Sequence, residues 1–441
     1  MSQVKPVFPA ELRQRILFSL MILLVYRFGV AIPAPGVDAN VIQQGMSSQG
    51  GGFFGLFNTF TGGAFERFSV FALGIMPYIS SSIIFQLLTS AVPYLEQLKK
   101  EGESGRKKIT QYTRYATILL AVIQGYAMAS YLEKLSFEGR PALVIQEFGL
   151  SFITFKLMAI VTLTAGTCFI MWLGEQVTER GIGNGTSLII FAGIAAGVPN
   201  GALNLWNSVS SGEMKGIVAL LILTGMLIVI GCIIFVEVAQ RRVPVHYSQR
   251  GVGRQAMQTP SSHLPLKVNF SNVIPPIFAS SLLLFPATLA QMVDKPWAHA
   301  LQQTLTPGSG GMYNIVFVAL IVFFCFFYTE IAFNPNEVAD NLKKYGGFIP
   351  GIRAGRSTAE YLMMVLNRLT VAGAVYLCII CVMPTILTNS LGLPFYFGGT
   401  TILICVGVAL DTSQQIQSYL LTAKYEGVMK GVKIRSRRVQ Y

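Results

Sequence analysis

The chain has 441 residues, 52% hydrophobic and only 12% charged, with a mean hydropathy of +0.56; these values exclude a soluble globular protein and fit a polytopic helical membrane protein. The net charge of +13 excludes little, because in such a chain the placement of charge matters more than its sum. The six cysteines (168, 232, 325, 378, 381, 405) all fall inside apolar runs, which excludes a disulfide framework or metal spacing and leaves them as small core residues.

Run length predicts the spans better than periodicity, since membrane helices are apolar all round. Ten are predicted, near 16–33, 68–89, 114–132, 152–173, 185–206, 217–236, 270–292, 313–333, 367–388 and 397–420. The first run, from Ile16, is long enough to anchor, so it is not read as a cleavable signal peptide. Between the first two spans, Phe53 to Phe65 is apolar but interrupted by Gly55 and Gly62-Gly63. Its length of about 13 residues is too short to cross a bilayer and predicts a re-entrant or interfacial segment. The span that follows carries Pro77, expected to break the helix and free the carbonyl of Leu73, with Ser80, Ser81 and Ser82 at hand to compensate. A glycine-hinged apolar piece beside a broken span predicts a moving part over a cavity; a surface loop entering an ordinary helix fits the same pattern with fewer assumptions.

Ten spans put both termini on one side. All but seven of the 33 Lys and Arg fall on that side, the exceptions being Arg27, Arg67, Lys134, Arg140, Lys156, Lys215 and Lys295, so the termini are expected in the cytoplasm. Trp206 and Trp297 then stand near outer ends and Trp172 near an inner end, as an aromatic belt requires. The inner loops near 237–269 and 334–366 are long and basic. Positive-inside bias explains their sign but not their length, and two such loops on one face suit anionic lipid, RNA or an acidic protein surface. Five spans precede the connection at 207–216 and five follow. Residues 1–206 and 217–441, on either side of that connection, are therefore expected to form two oppositely oriented halves with a pathway between them.

Catalytic signatures are missing: no Gly-x4-Gly-Lys-Ser/Thr, no His-Glu-x2-His and no Cys-x2-Cys. His246, His263 and His299 are scattered in loops. GIGNGTS (181–187) lacks a preceding strand and a lysine, and is expected to be a helix entry capped by Asn184 or Thr186. No enzyme activity or cofactor is expected, and any nucleotide energy must come from a partner. Arg27 and Lys156 stand near outer ends, where they can snorkel, and Glu237, Glu330 and Asp411 near inner ends. The lack of a midplane acid or base counts against the alternative reading, an ion-coupled secondary transporter. A pore for a bulky, varied substrate would need apolar walls instead.

Several stretches carry a resemblance. FALGIMPYISSSIIFQLLT (71–89) and MWLGEQVTERGIGNGTSLIIFAG (171–193) resemble the two signature regions of the bacterial SecY family, central subunits of protein-conducting channels. EGESGRKKITQYTRYAT (101–117), HLPLKVN (263–269), IFASSLLLFPAT (277–288), FFCFFYT (323–329), FNPNEVADNLKKYGGFIPGIR (333–353) and PFYFGGTTILI (394–404) extend the likeness from about residue 10 to 430. It implies an all-α, ten-helix membrane protein built as a clamshell of two pseudo-symmetric five-helix halves in the bacterial plasma membrane. It also implies an hourglass pore with an apolar ring, which maps to Ile75, Ile79, Ile190, Ile277 and Ile404. Any one of these alone would be read as a lipid- or core-facing isoleucine. The segment 53–67 matches the family's plug, with Phe53, Phe54, Leu56, Phe57, Asn58, Phe60, Gly62 and Gly63 as its characteristic residues. A lateral gate is implied between the second and seventh spans, with Ser80 and Phe285 on facing sides. The basic loops match docking sites for the ribosome and the SecA motor ATPase through Arg254, Lys343, Lys344 and Arg353. Two departures stand out: Gln255 where a second arginine is expected, and Pro276 beside Pro275. The small subunits SecE and SecG, signal peptides and secretory or membrane protein clients, and anionic lipids are the further partners implied.

Overall fold

A membrane interior offers no water to backbone groups, so spans must satisfy their own hydrogen bonds, and helices do this within one segment. The computed structural model describes residues 10–48, 53–134, 136–137, 140–141, 151–212, 214–247, 262–290, 295–305, 311–391 and 398–431. In chain order the elements are α1 (Ala10–Val30), α2 (Ala39–Ser48), α3 (Phe53–Thr61), α4 (Met76–Ala91), α5 (Pro93–Lys100), α6 (Glu103–Lys134), β1 (Ser136–Phe137), β2 (Arg140–Pro141), α7 (Phe152–Arg180), α8 (Gly185–Ser210), α9 (Gly216–Val238), β3 (Gln240–Tyr247), β4 (Ser262–Lys267), α10 (Ile274–Ala290), α11 (Pro296–Leu305), α12 (Gly311–Ala332), α13 (Pro335–Lys344), β5 (Gly347–Phe348), α14 (Arg356–Leu391) and α15 (Gly399–Gly431).

A helix stands at each of the ten predicted positions: α1, α4, α6, α7, α8, α9, α10, α12, α14 and α15. Among the described residues, six helical stretches are long and apolar enough to cross a membrane, and the bent pair α4–α5 would make a seventh. α1 carries Arg13, Arg15 and Arg27, and α10 is short with Pro286 inside it. α9 is the most apolar of the six and is exposed along most of its surface.

Three expectations need correction. The second span does not begin at Phe68: residues 62–75 run as successive turns and α4 begins at Met76. Pro77 therefore sits in the first turn of α4, where its missing N–H would have been unpaired anyway, and it starts the helix instead of breaking it. The sharp bend comes later, 97° between α4 and α5, where Val92 takes an extended conformation ahead of Pro93. The basic stretches are also less loop-like than predicted. β3 and β4 form an antiparallel hairpin, and α13 with the first turns of α14 fills most of 334–366. β3 also pairs with β5, giving a sheet ordered β4-β3-β5 that joins the two basic stretches into one body. A small core of Val243, Leu266, Ile349, Leu362, Val365 and Leu366 holds this body together. Arg254 and Gln255 lie outside the described residues.

Asn184 caps α8, its Oδ1 accepting from the N–H groups of Thr186 and Ser187, so of the two candidate caps it is the first. Helices from before and after the 211–215 connection meet along two seams. α8 packs on α9 and α15, and α1 on α15; on the other side α10 packs on α4 and α6.

Candidate pore, plug and gate

The five ring isoleucines come from four helices and are all buried: Ile75 at 3%, Ile79 at 7%, Ile190 at 3%, Ile277 at 9% and Ile404 at 0% exposure. They belong to one contiguous apolar cluster. Ile75 is the N-cap of α4, and its carbonyl accepts from the N–H groups of Tyr78 and Ile79, at 3.1 Å each. That local geometry sets Ile75 and Ile79 one helical turn apart, able to face one way.

The predicted plug reaches the same cluster. α3 packs on α8, with Phe57 and Phe60 buried and Phe57 edge-on to Phe65 at 5.0 Å. Phe53, Phe54 and Leu56 contribute to the helix, but their side chains lie outside the described residues. Gly62, at φ +67°, makes backbone contact with α8: a Cβ there would stand 2.6 Å from the Cα of Gly193. A Cβ on Gly193 would in turn stand 3.1 Å from the carbonyl oxygen of Phe60. Only glycine fits both positions without displacing the plug.

Polar groups then fasten it. The Tyr26 hydroxyl donates to the carbonyl of Thr61 at 3.1 Å, and Arg27 Nη1 donates to the carbonyl of Gly62 at 2.8 Å. Asn58 and Glu66 pair reciprocally, Asn58 Nδ2 donating to Glu66 Oε2 at 3.0 Å and the Glu66 N–H to Asn58 Oδ1 at 3.1 Å. The Gly63 N–H closes the turn on the carbonyl of Asn58 at 3.0 Å. Beyond it, the Ala34 N–H donates to the carbonyl of Phe68 and the Val70 N–H to that of Ile32, at 2.8 and 3.0 Å. Arg27, which stands near an outer end where it can snorkel, also turns its guanidinium onto the carbonyl of Gly62. Sequence reasoning missed it because its partner is a backbone carbonyl 35 residues away.

At the candidate gate, Ser80 on α4 is buried and Phe285 on α10 is half-buried beside Pro286. The helices that meet here also bury Gln124 on α6 and Ser280, Ser281 and Thr288 on α10. Ser280 and Thr288 bond carbonyls of their own helix, whereas Gln124 Oε1 and Ser281 Oγ have no hydrogen-bond partner among the described residues. A seam with unpaired polar atoms is held less firmly than an all-apolar one. Lys343 and Lys344 are exposed in the last turn of α13, and Arg353 is exposed in the turn before α14. With the exposed Arg241 and Arg242 of β3 they give the sheet body a basic surface. Among the described residues no cluster of His, Cys, Asp and Glu could hold a metal.

The SecY family profile matches residues 69–413. The protein translocase subunit SecY of Escherichia coli K12 is 47% identical over 429 residues, covering 96% of this chain and 95% of the relative. A solved protein-conducting channel superposes with a TM-score of 0.67 at 18% identity, over 96% of each chain. Sec61 in the canine ribosome–channel complex superposes with a TM-score of 0.64 at 17% identity, again over 96% of each. These two structural likenesses bear on the fold alone.

Removing the guanidinium contact should free the plug. In a Thr59→Cys background, Arg27→Met should raise the rate of labelling by a membrane-impermeant maleimide severalfold, and Tyr26→Phe, which removes a neutral bond of about 1 kcal/mol, should raise it less. Unchanged labelling in Arg27→Met would show that Arg27 does not hold the plug.

Proposed function

The chain belongs to the SecY family, and on that footing we propose that it is the pore-forming subunit of a protein translocation channel, passing unfolded polypeptides across the membrane and releasing apolar segments into lipid. The observation that carries this reading is the buried set of branched aliphatic side chains from α4, α8, α10 and α15, with the plug packed into the same cluster. Aliphatic chains bind no polypeptide segment strongly, yet they leave water and ions no polar partner when they close. The gate lies at the seam where α10 meets α4. A central Leu, Ile, Phe or Val favours membrane insertion by about 0.3 to 0.6 kcal/mol and a charged residue opposes it by about 2.5 to 3.5 kcal/mol. An apolar run therefore leaves sideways, while a polar chain continues across.

The basic sheet body faces the cytoplasm, as do both termini, and the halves 1–206 and 217–441 part about the 207–216 connection. That body docks the ribosome and a SecA-type motor through Lys343, Lys344 and Arg353, together with Arg254. SecE and SecG complete the complex, signal peptides and client chains enter it, and anionic lipids border it. The ion-coupled transporter finds no support in the relatives. Glu237, the buried acid, sits one residue from the end of α9, not at mid-span.

Two experiments test this reading. Replacing Ile79 and Ile190 together by serine should raise resting ion conductance in planar bilayers, since a small polar waist stays wet; wild-type conductance would remove them from the ring. Ser80→Cys with Phe285→Cys should form a disulfide on oxidation, because Cα atoms within about 7 Å can be bridged. The oxidised channel should stop both export and lateral release, and reduction should restore them. Failure to crosslink in any state, or a crosslink without effect on export, would refute the gate assignment.

A further inference from the structure

Four elements converge where the basic hairpin joins the bundle. Glu237 is buried near the end of α9, and its Oε1 accepts from Asn269 Nδ2 at 2.7 Å. The same nitrogen donates to the carbonyl of Asn272 at 3.0 Å, and Ser271 Oγ donates to Asn269 Oδ1 at 3.2 Å. Asn272 Nδ2 then reaches Asp411 Oδ2 on α15 at 2.8 Å. The backbone adds two ties. The Val268 N–H donates to the carbonyl of Ala239 at 3.1 Å, closing the base of the hairpin. On α15, Gly407 lies so close to Val273 that any Cβ there would collide with it.

The placement of these residues gives the knot its interest. Asn269 is two residues past β4, and Asn272 is two residues before α10. α9 leads directly into β3. Asp411 stands seven residues, about two helical turns, beyond the ring residue Ile404 on the same helix. The short segment 268–273 thus has little slack: it is tied to α9 on one side and to α15 on the other. Asn272 holds the left-handed φ of +54°, a region that asparagine enters more readily than most non-glycine residues. Well-packed apolar side chains would serve stability as well as a buried amide–carboxylate chain, so stability alone does not account for this arrangement.

We propose that Asn269 and Asn272 are positioning residues of a mechanical relay, through which displacement of the basic hairpin moves α10 and α15 together, and with them the gate and the ring. This rests on the channel reading above, and the experiment separates the two. Asn272→Gly keeps the backbone, because glycine adopts positive φ freely, and removes only the link to Asp411. Asp411→Asn keeps an acceptor oxygen for Asn272 and serves as the conservative control. Resting conductance, the change in conductance on adding purified ribosomes, ribosome co-sedimentation and thermal stability would be measured for each.

The expected result for Asn272→Gly is wild-type stability and co-sedimentation, a severalfold rise in resting conductance, and loss of the ribosome-evoked change. Asp411→Asn should behave as wild type. Wild-type resting conductance in Asn272→Gly, with or without a ribosome-evoked change, would overturn the relay. Absence of ribosome binding to the wild-type channel would refute the docking assignment alone, and resting conductance would then decide the relay by itself.

Discussion

Residues 62–75 run as turns through an apolar bundle, and hydrocarbon supplies no partners for the backbone groups that turns leave open. The surrounding structure is built around supplying them. Tyr26 and Arg27 take the carbonyls of Thr61 and Gly62, Ala34 takes that of Phe68, and Ile75 closes the run by starting α4. The first two bonds tie the segment to α1, and the third ties it to the turn that follows α1. The proposed plug is therefore fastened by a few directional contacts around a small apolar patch.

The Gly62–Gly193 contact links the proposed plug to the helix that carries Ile190 of the proposed ring. Gly193 is three residues past Ile190, so the helix that contributes to the waist is also the surface against which the plug backbone lies. α10 has a similar double part in the proposed channel: it carries the buried Ile277 of the isoleucine set and the half-buried Phe285 of the proposed gate. In the proposed channel, a polypeptide that parts α4 from α10 would displace the buried isoleucines of both helices directly.

Much of this was legible in the sequence. Apolar run length located a helix at all ten predicted positions, since in hydrocarbon length and composition are the dominant constraints. The Asn184 cap was legible because capping is local. Pro77 was misplaced because apolar length alone cannot distinguish residues 68–75 as turns from the same residues as helix. The union of the two basic stretches into one sheet depends on His246 meeting Phe348 across about a hundred residues, and nothing local announces it. The same holds for Arg27 on Gly62, Gly62 on Gly193 and Asn272 on Asp411. Those contacts use backbone carbonyls or common polar side chains, whose partners only the tertiary fold selects.

The central claim is that polypeptide passes through the waist formed by the buried isoleucines. The direct measurement is crosslinking from a translocating chain arrested midway and carrying one cysteine-reactive probe. Cysteines would be introduced singly at Ile75, Ile79, Ile190, Ile277 and Ile404, and at the exposed Leu220 and Leu227 of α9 as lipid-facing controls. The account predicts crosslinks at all five waist positions and none at the α9 positions. Crosslinks confined to α9, or none at the waist while the chain is arrested, would contradict it.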